Sequence, residues 1–323
     1  MSLSETTPHP VVASSQMKLP RDLSQQDLSF LVLEITGKCN LECVHCYANS
    51  SPRADLFGRM SSDDWVNVIE TAAQLGCRSV QFIGGEPTLH PALDNFIACA
   101  KNSGFEQIEV FTNATTLTES RLAFYRKNEV SIATSFYSCD QGIHEHITRG
   151  KGNFQKTVQG IRATVEMGIP IRVGVIWIEG INVNDKSKTL TFLKELGVSR
   201  VGEDSMRGIG RSVKAQINDE SDEYYSALCG QCWKGSLCVT PDGSAYPCVF
   251  TRISAVGNVL EQGIQAVVEG RALQNTRMLL CNKFSGRTLQ SDCVPQECQP
   301  RTCSPQVCEP QVCGPLSCGP RFP

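Results

Sequence analysis

The stretch ITGKCNLECVHCY, residues 35–47, ends an apolar run and carries Cys39, Cys43 and Cys46 at C-x3-C-x2-C spacing. The residues leading into it, LSFLVLEIT (28–36), are dominated by large and β-branched apolar side chains and read as a buried strand. The three cysteines therefore fall in the loop at that strand's C-terminal end. Among parallel strands, loops at that end converge on a ligand. Whether the strands run parallel depends on what connects them.

Strand-like and helix-like runs alternate through residue 212. SSDDWVNVIETAAQLG (61–76) opens on capping serines, repeats Trp65, Val68, Ile69, Ala72 and Leu75 on one face, and stops at Gly76. SVQFIGG (79–85) is a strand, followed by a helix that turns Leu93, Phe96, Ile97 and Ala100 inward. IEVFT (108–112) precedes a helix near 117–127, and SIATSFY (131–137) precedes one carrying Phe154, Val158, Ile161 and Val165. IRVGVIWI (171–178) and VSRVGE (198–203) complete six strands, with a helix over 185–196 between them. Such a series predicts an α/β fold with parallel strands and right-handed crossovers. Six units, two fewer than a closed barrel, predict an open, partial (βα)6 barrel.

Composition narrows the function classes. The chain has 323 residues, 41% of them apolar and 20% charged, with a net charge of −3. That balance gives no electrostatic case for nucleic acid or an anionic membrane as partner. No apolar run approaches the roughly 20 residues that cross a bilayer, and residues 1–27 lack the pattern of a secretory signal. We expect a flexible N-terminal arm over 1–27 and a cytoplasmic protein. In a reducing compartment, 17 cysteines point to metal or chemistry rather than disulfides.

Three thiolates leave one iron of a 4Fe-4S cube open to a ligand from outside the protein, and the spacing is not that of a paired-CxxC zinc site. Followed by Tyr47 at the end of the first strand, the motif resembles that of the radical S-adenosylmethionine (SAM) superfamily. The resemblance implies that Cys39, Cys43 and Cys46 hold the cluster, that S-adenosyl-L-methionine binds its open iron, and that one-electron cleavage yields a 5′-deoxyadenosyl radical. Gly84, Gly85, Glu86 and Pro87 match the family's GGEP motif. Two glycines allow close backbone approach, and Glu86 would offer its carboxylate to the methionine ammonium. By the same resemblance Tyr47, Asn113, Ser135, Gly174 and Arg211 are cofactor-binding candidates. An ordinary strand-end serine or a solvated arginine accounts equally well for Ser135 and Arg211.

Past Arg211 the composition shifts. Residues 213–228 read as a polar linker, and 229–292 as a compact cysteine-containing region with helices near 259–268 and 271–280. Cys232, ten residues, Gly243, four residues and Cys248 resemble the first half of the SPASM extension, a hairpin that holds an auxiliary iron–sulfur cluster. Pro241 and Gly243 suit its turn. The extension's usual second half is absent. In its place stand Cys281 and a tail, 293–323, with six C-x-P repeats; proline at that frequency forbids helix and central strand. The candidate auxiliary ligands are Cys229, Cys232, Cys238, Cys248, Cys281, Cys293, Cys298 and Cys303, for one cluster or more; the alternative for the tail is a disordered segment whose thiols are redox-active or bind adventitious metal.

Cys77 and Cys99 read as small buried hydrophobes, and HEH (144–146) as a polar loop. The resemblance leaves two reactions open. One is epimerisation of a carbon in a glycoside or aminoglycoside-type natural product, with Cys248 (if not a ligand) or Cys139 returning the hydrogen. The other is maturation of a ribosomal peptide by a crosslink, thioether or epimerised residue. The arm at 1–27 is shorter than the recognition domain that many peptide maturases of the family carry, which tilts the expectation towards the small molecule. A flavodoxin or ferredoxin would supply the electron.

Overall fold

The computed structural model describes residues 28–212, 224–225, 228–229, 232–252 and 255–284. The expected strands form where the apolar runs placed them: β1 Phe30–Glu34, β2 Ser79–Ile83, β3 Gln107–Phe111, β4 Ser131–Phe136, β5 Ile171–Trp177 and β6 Arg200–Ser205. Each pairs in parallel with the next. This is the open parallel arrangement that the six βα units predicted.

Helices α1 Ser62–Gln74, α2 Leu93–Asn102, α3 Glu119–Lys127, α4 Gln141–Thr148, α5 Asn153–Glu166 and α6 Lys186–Glu195 fill the crossovers. A capping box starts α1, with the Ser61 hydroxyl accepting from the Asp64 N–H and the Asp64 carboxylate accepting from the Ser61 N–H. Its buried face is Trp65, Val68, Ile69, Ala72 and Ala73, the periodic set with Ala73 in place of Leu75, which caps the helix half-buried.

Strand alternation sorts the core into two layers. Leu31, Leu33, Val80 and Phe82 join the helices in the main core. Phe30, Val32, Ile83, Cys238 and Val249 form a smaller cluster on the other face, inside the partial barrel. Being covered on both sides, β1 is buried at every position, which is why FLVLE reads as continuous apolar sequence ending in one buried acid. Fully burying a side chain of the Phe82 class contributes about 1.5–3 kcal/mol.

The Cys-rich region is stitched onto the same sheet. β7 Ser236–Val239 lies parallel to β1, with Phe30 opposite Ser236 and Val32 opposite Cys238. β8 Ser244–Tyr246 and β9 Gly257–Asn258 follow antiparallel, so the strand order is β6-β5-β4-β3-β2-β1-β7-β8-β9. Helix α7 Val259–Glu269 packs on α1, and α8 Arg271–Phe284 follows it.

Two segments differ from expectation. HEH (144–146) belongs to α4 rather than a polar loop; His144 is buried between Phe136, Tyr137 and Phe154, so its ring acts as an aromatic core residue. Within the expected linker, Tyr224, Tyr225 and Leu228 are buried in one apolar cluster with Ile209, Cys232 and Cys248. The tail from 293 lies outside the described residues, as do Cys293, Cys298 and Cys303.

Candidate active site at the C-terminal ends of the strands

The loop after β1 brings Cys39, Cys43 and Cys46 to the wall of one cavity, which Gly84, Gly85 and Asn113 also line. Backbone N–H groups already point at the sulfurs: Leu41 donates to Cys39 Sγ at 3.4 Å and Ser50 to Cys46 Sγ at 3.3 Å. Asn113 Nδ2 lies 3.8 Å from Cys39 Sγ. Such donors stabilise cluster-ligating thiolates. Burial, and then the two neighbouring thiols, push Cys43 up to about 12. Burial and the Glu86 carboxylate do the same to Cys39. Among the described residues no three His, Cys, Asp or Glu side chains close on a single ion. Three thiols on one cavity wall, with backbone N–H groups aimed at two of the sulfurs, make a donor set that fits an iron–sulfur cluster.

The glycines act first on the protein itself. A Cβ at Gly85 would lie 2.2 Å from the Lys38 carbonyl oxygen, and one at Gly84 2.4 Å from that of Thr36. The N–H of Gly85 donates to the Thr36 carbonyl and that of Glu86 to the Lys38 carbonyl, each at 2.8 Å. Only glycine lets the β2 loop pack this closely on the cysteine loop.

Glu86 finds its partners within the protein. Its carboxylate is fully buried and accepts from Thr88 N, Thr88 Oγ1 and Thr112 Oγ1 through Oε1, and from Asn113 N through Oε2. Burial pushes its pKa up while these hydrogen bonds pull it down. The carboxylate thus clamps the β2 and β3 loops together and is absent from the cavity lining, where the expectation had it meet the methionine ammonium.

The remaining candidates divide. Tyr47 and Ser135 line the cavity. Gly174 does not; it pairs in register with Ser135, one strand away. Arg211 braces the cysteine loop instead, donating to the carbonyls of Cys43 and Ser50 at 2.5 and 2.6 Å. Cys139 lies in the turn before α4, its N–H donating to Thr189 Oγ1 at 3.1 Å, outside the cavity linings. His45, Tyr137 and His144 line the cavity and had no counterpart among the expected site residues. Burial lowers both histidines to about 4, so both rings are neutral at ordinary pH.

A second, inner cavity shares His45, Tyr47, Ile83, Phe111 and Ser135 with the first and continues to Ile176, Asp204, Arg207, Val249 and Phe250. It joins the cysteine loop to the C-terminal extension.

In that extension Cys232 and Cys248 place their sulfurs 3.1 Å apart, and Cys229 hydrogen-bonds Cys232. The hydrogen bond from Cys232 holds Cys248 below the usual thiol value. These three thiols fit part of a second cluster site. Cys238 sits on the inner face of β7 in the cluster of Phe30, Val32, Ile83 and Val249, where burial and then the Glu34 carboxylate push its thiol pKa up. Cys281 stands on α8, whose Leu280 and Phe284 pack against the three-thiol nest.

Comparisons with known proteins agree with this geometry. The radical SAM superfamily model matches residues 33–193, and the SPASM iron–sulfur cluster-binding domain model matches 229–304. The subtilosin biosynthesis protein AlbA of Bacillus subtilis is 23% identical over 317 residues, covering 88% of this chain and 68% of the relative. A GTP 3′,8-cyclase of Petrotoga mobilis is 29% identical over 181 residues, 54% of this chain and 55% of that protein. The crystal structure of Streptococcus suis SuiB bound to S-adenosylmethionine superposes with a TM-score of 0.64 at 14% identity, covering 78% of this chain and 68% of that one. No helix among the described residues is long and apolar enough to cross a membrane. Matched over 33–193 and 229–304, with three loop thiols on one cavity and a second thiol nest flanking the β7–β8 hairpin, the chain belongs to the radical SAM superfamily and carries a SPASM-type iron–sulfur extension.

Proposed function

We propose that this enzyme tailors a peptide. The carrying observation is colinearity over 88% of the chain with a bacteriocin biosynthesis protein, and bacteriocins are peptides. The inner cavity supports the same reading. Its lining is dominated by Tyr47, Ile83, Phe111, Ile176, Val249 and Phe250, a surface suited to an apolar side chain rather than a polyhydroxylated sugar.

When bound, the cluster and S-adenosylmethionine supply a carbon-centred radical that removes one hydrogen atom from the substrate. The chain's residues hold and enclose. Cys39, Cys43 and Cys46 would hold the cluster, Tyr47, Gly84, Gly85, Asn113 and Ser135 line the cavity that would take S-adenosylmethionine, and neutral His45 and Tyr47 face both cavities. Arg211 and Glu86 keep the loops in place. Cys229, Cys232 and Cys248 would hold part of the auxiliary cluster, with Cys281 or the tail cysteines Cys293, Cys298 and Cys303 as candidates to complete it. That assignment removes Cys248 as hydrogen donor in a sugar epimerisation. A flavodoxin- or ferredoxin-type protein supplies the reducing electron.

The test is co-expression with short peptides encoded beside the gene, followed by mass spectrometry. A crosslink or thioether appears as the loss of two hydrogens, and peptide epimerisation in deuterated water as one deuterium retained. If S-adenosylmethionine cleavage couples to aminoglycoside turnover and to no peptide, the glycoside reading replaces this one.

A further inference from the structure

Among the described residues lining the inner cavity, the carboxylate and guanidinium groups are those of Asp204 and Arg207. They are paired: Arg207 Nη2 and Nε donate to Asp204 Oδ2 at 2.7 and 3.0 Å, while Asp204 Oδ1 accepts the Ser205 N–H at 2.8 Å. Only 10% and 9% of the two side chains is exposed. A pair buried this deeply adds little net stability over apolar side chains of the same size. Its position is the informative part.

Arg207 Cζ lies 4.5 Å from the centroid of the Phe250 ring, and the Phe250 N–H donates to Cys248 Sγ at 3.4 Å. Phe250 thus touches the guanidinium with its ring and a nest thiol with its amide. Cys229 and Cys248 both favour the charged guanidinium, so the cation and the thiols feel one another across this wall. A cation beside a thiolate-ligated cluster stabilises the added electron, and low local polarity strengthens the effect.

We propose that Arg207 raises the reduction potential of the auxiliary iron–sulfur centre and that Asp204 moderates it. The inference rests on the assignment of Cys229, Cys232 and Cys248 to that centre. Arg207 is a positioning and tuning residue here, since it acts through the centre. In the step concerned, the centre gains one electron from the reductant and no bond is made or broken.

The full-length chain carrying Cys39→Ala, Cys43→Ala and Cys46→Ala isolates the auxiliary centre. After anaerobic reconstitution with iron and sulfide, it is titrated with dithionite and followed by electron paramagnetic resonance. Arg207→Met should shift the midpoint to lower potential, Arg207→Lys should stay near the parent, and Asp204→Asn should shift it upward. A loaded Arg207→Met protein with the parent's midpoint overturns the inference alone. Should that variant fail to load, Asp204→Asn decides, and an unchanged or lowered midpoint overturns the inference. If the loop-triple variant holds iron and keeps it when Cys229, Cys232 and Cys248 are also replaced, the ligand assignment fails and the inference falls with it.

Discussion

The Glu86 carboxylate accepts the backbone N–H of Asn113 at 2.7 Å, so the loop after β2 holds the loop after β3 through a buried acceptor. Glu86→Gln keeps the volume and one oxygen but turns an amide donor on another donor. Leaving that N–H unsatisfied costs about 1–3 kcal/mol, or roughly 5- to 150-fold in S-adenosylmethionine affinity if the loop must be closed to bind. Equilibrium binding to anaerobically reconstituted protein measures this. Wild-type affinity would show that the loop stands without the carboxylate.

Cys43→Ala removes a thiol from the three-cysteine loop. Release of 5′-deoxyadenosine and methionine should fall to background, with iron content reduced but not abolished because the second nest remains. Chromatography of the nucleoside product, beside an iron assay, reads both.

The SPASM match ends at residue 304, between the third and fourth tail cysteines. A chain truncated after 292 should bind less iron than the full protein, and one truncated after 304 should bind as much. Equal iron in all three would remove the tail as a source of ligands.

Gly160 on α5 faces the Asn113–Ala114 loop so closely that a Cβ would lie 2.2 Å from the Ala114 carbonyl oxygen. Alanine normally favours a helix over glycine by about 0.5–1 kcal/mol, but overpacking against backbone costs about 1–3 kcal/mol. Gly160→Ala should therefore lower the urea midpoint. A raised midpoint would mean that the loop yields freely.

His144 is held near 4 by burial, below its ordinary 6.5. Between those values the unfolded chain binds more protons than the folded one, so stability present above the ordinary value is lost as pH falls towards 4. His144→Phe, which keeps the ring contacts with Phe136 and Phe154, should flatten the fall in urea midpoint from pH 6.5 to 4. An unchanged slope would assign the acid sensitivity to other groups, His45 among them.

Local pattern made much of this legible. The strands and the inward faces of α1 and α2 follow from side-chain period, and the cysteine loop from spacing alone. What escaped depends on contacts between residues distant in the chain. Nothing near Glu86 says that four donors from the β2 and β3 loops will surround its carboxylate. His144 looks polar until Phe136, Tyr137 and Phe154 close over it. Cys238 and Cys232 lie in one short segment, but the alternation of β7 sends Cys238 inward; registering β7 beside β1 was needed to see it. Arg207 carried no motif at all, and its interest comes from the ring and thiol it meets.

The parallel pairing of β7 with β1 makes the accessory module the selvage of the principal sheet. Cutting it away would bare the hydrogen-bonding edge of the strand that leads into the radical-generating loop, leaving an open edge prone to self-association. The two iron sites are thus mechanically married. A shortened enzyme lacking the accessory part would end its sheet on the five-residue apolar β1 in place of the two-residue β9.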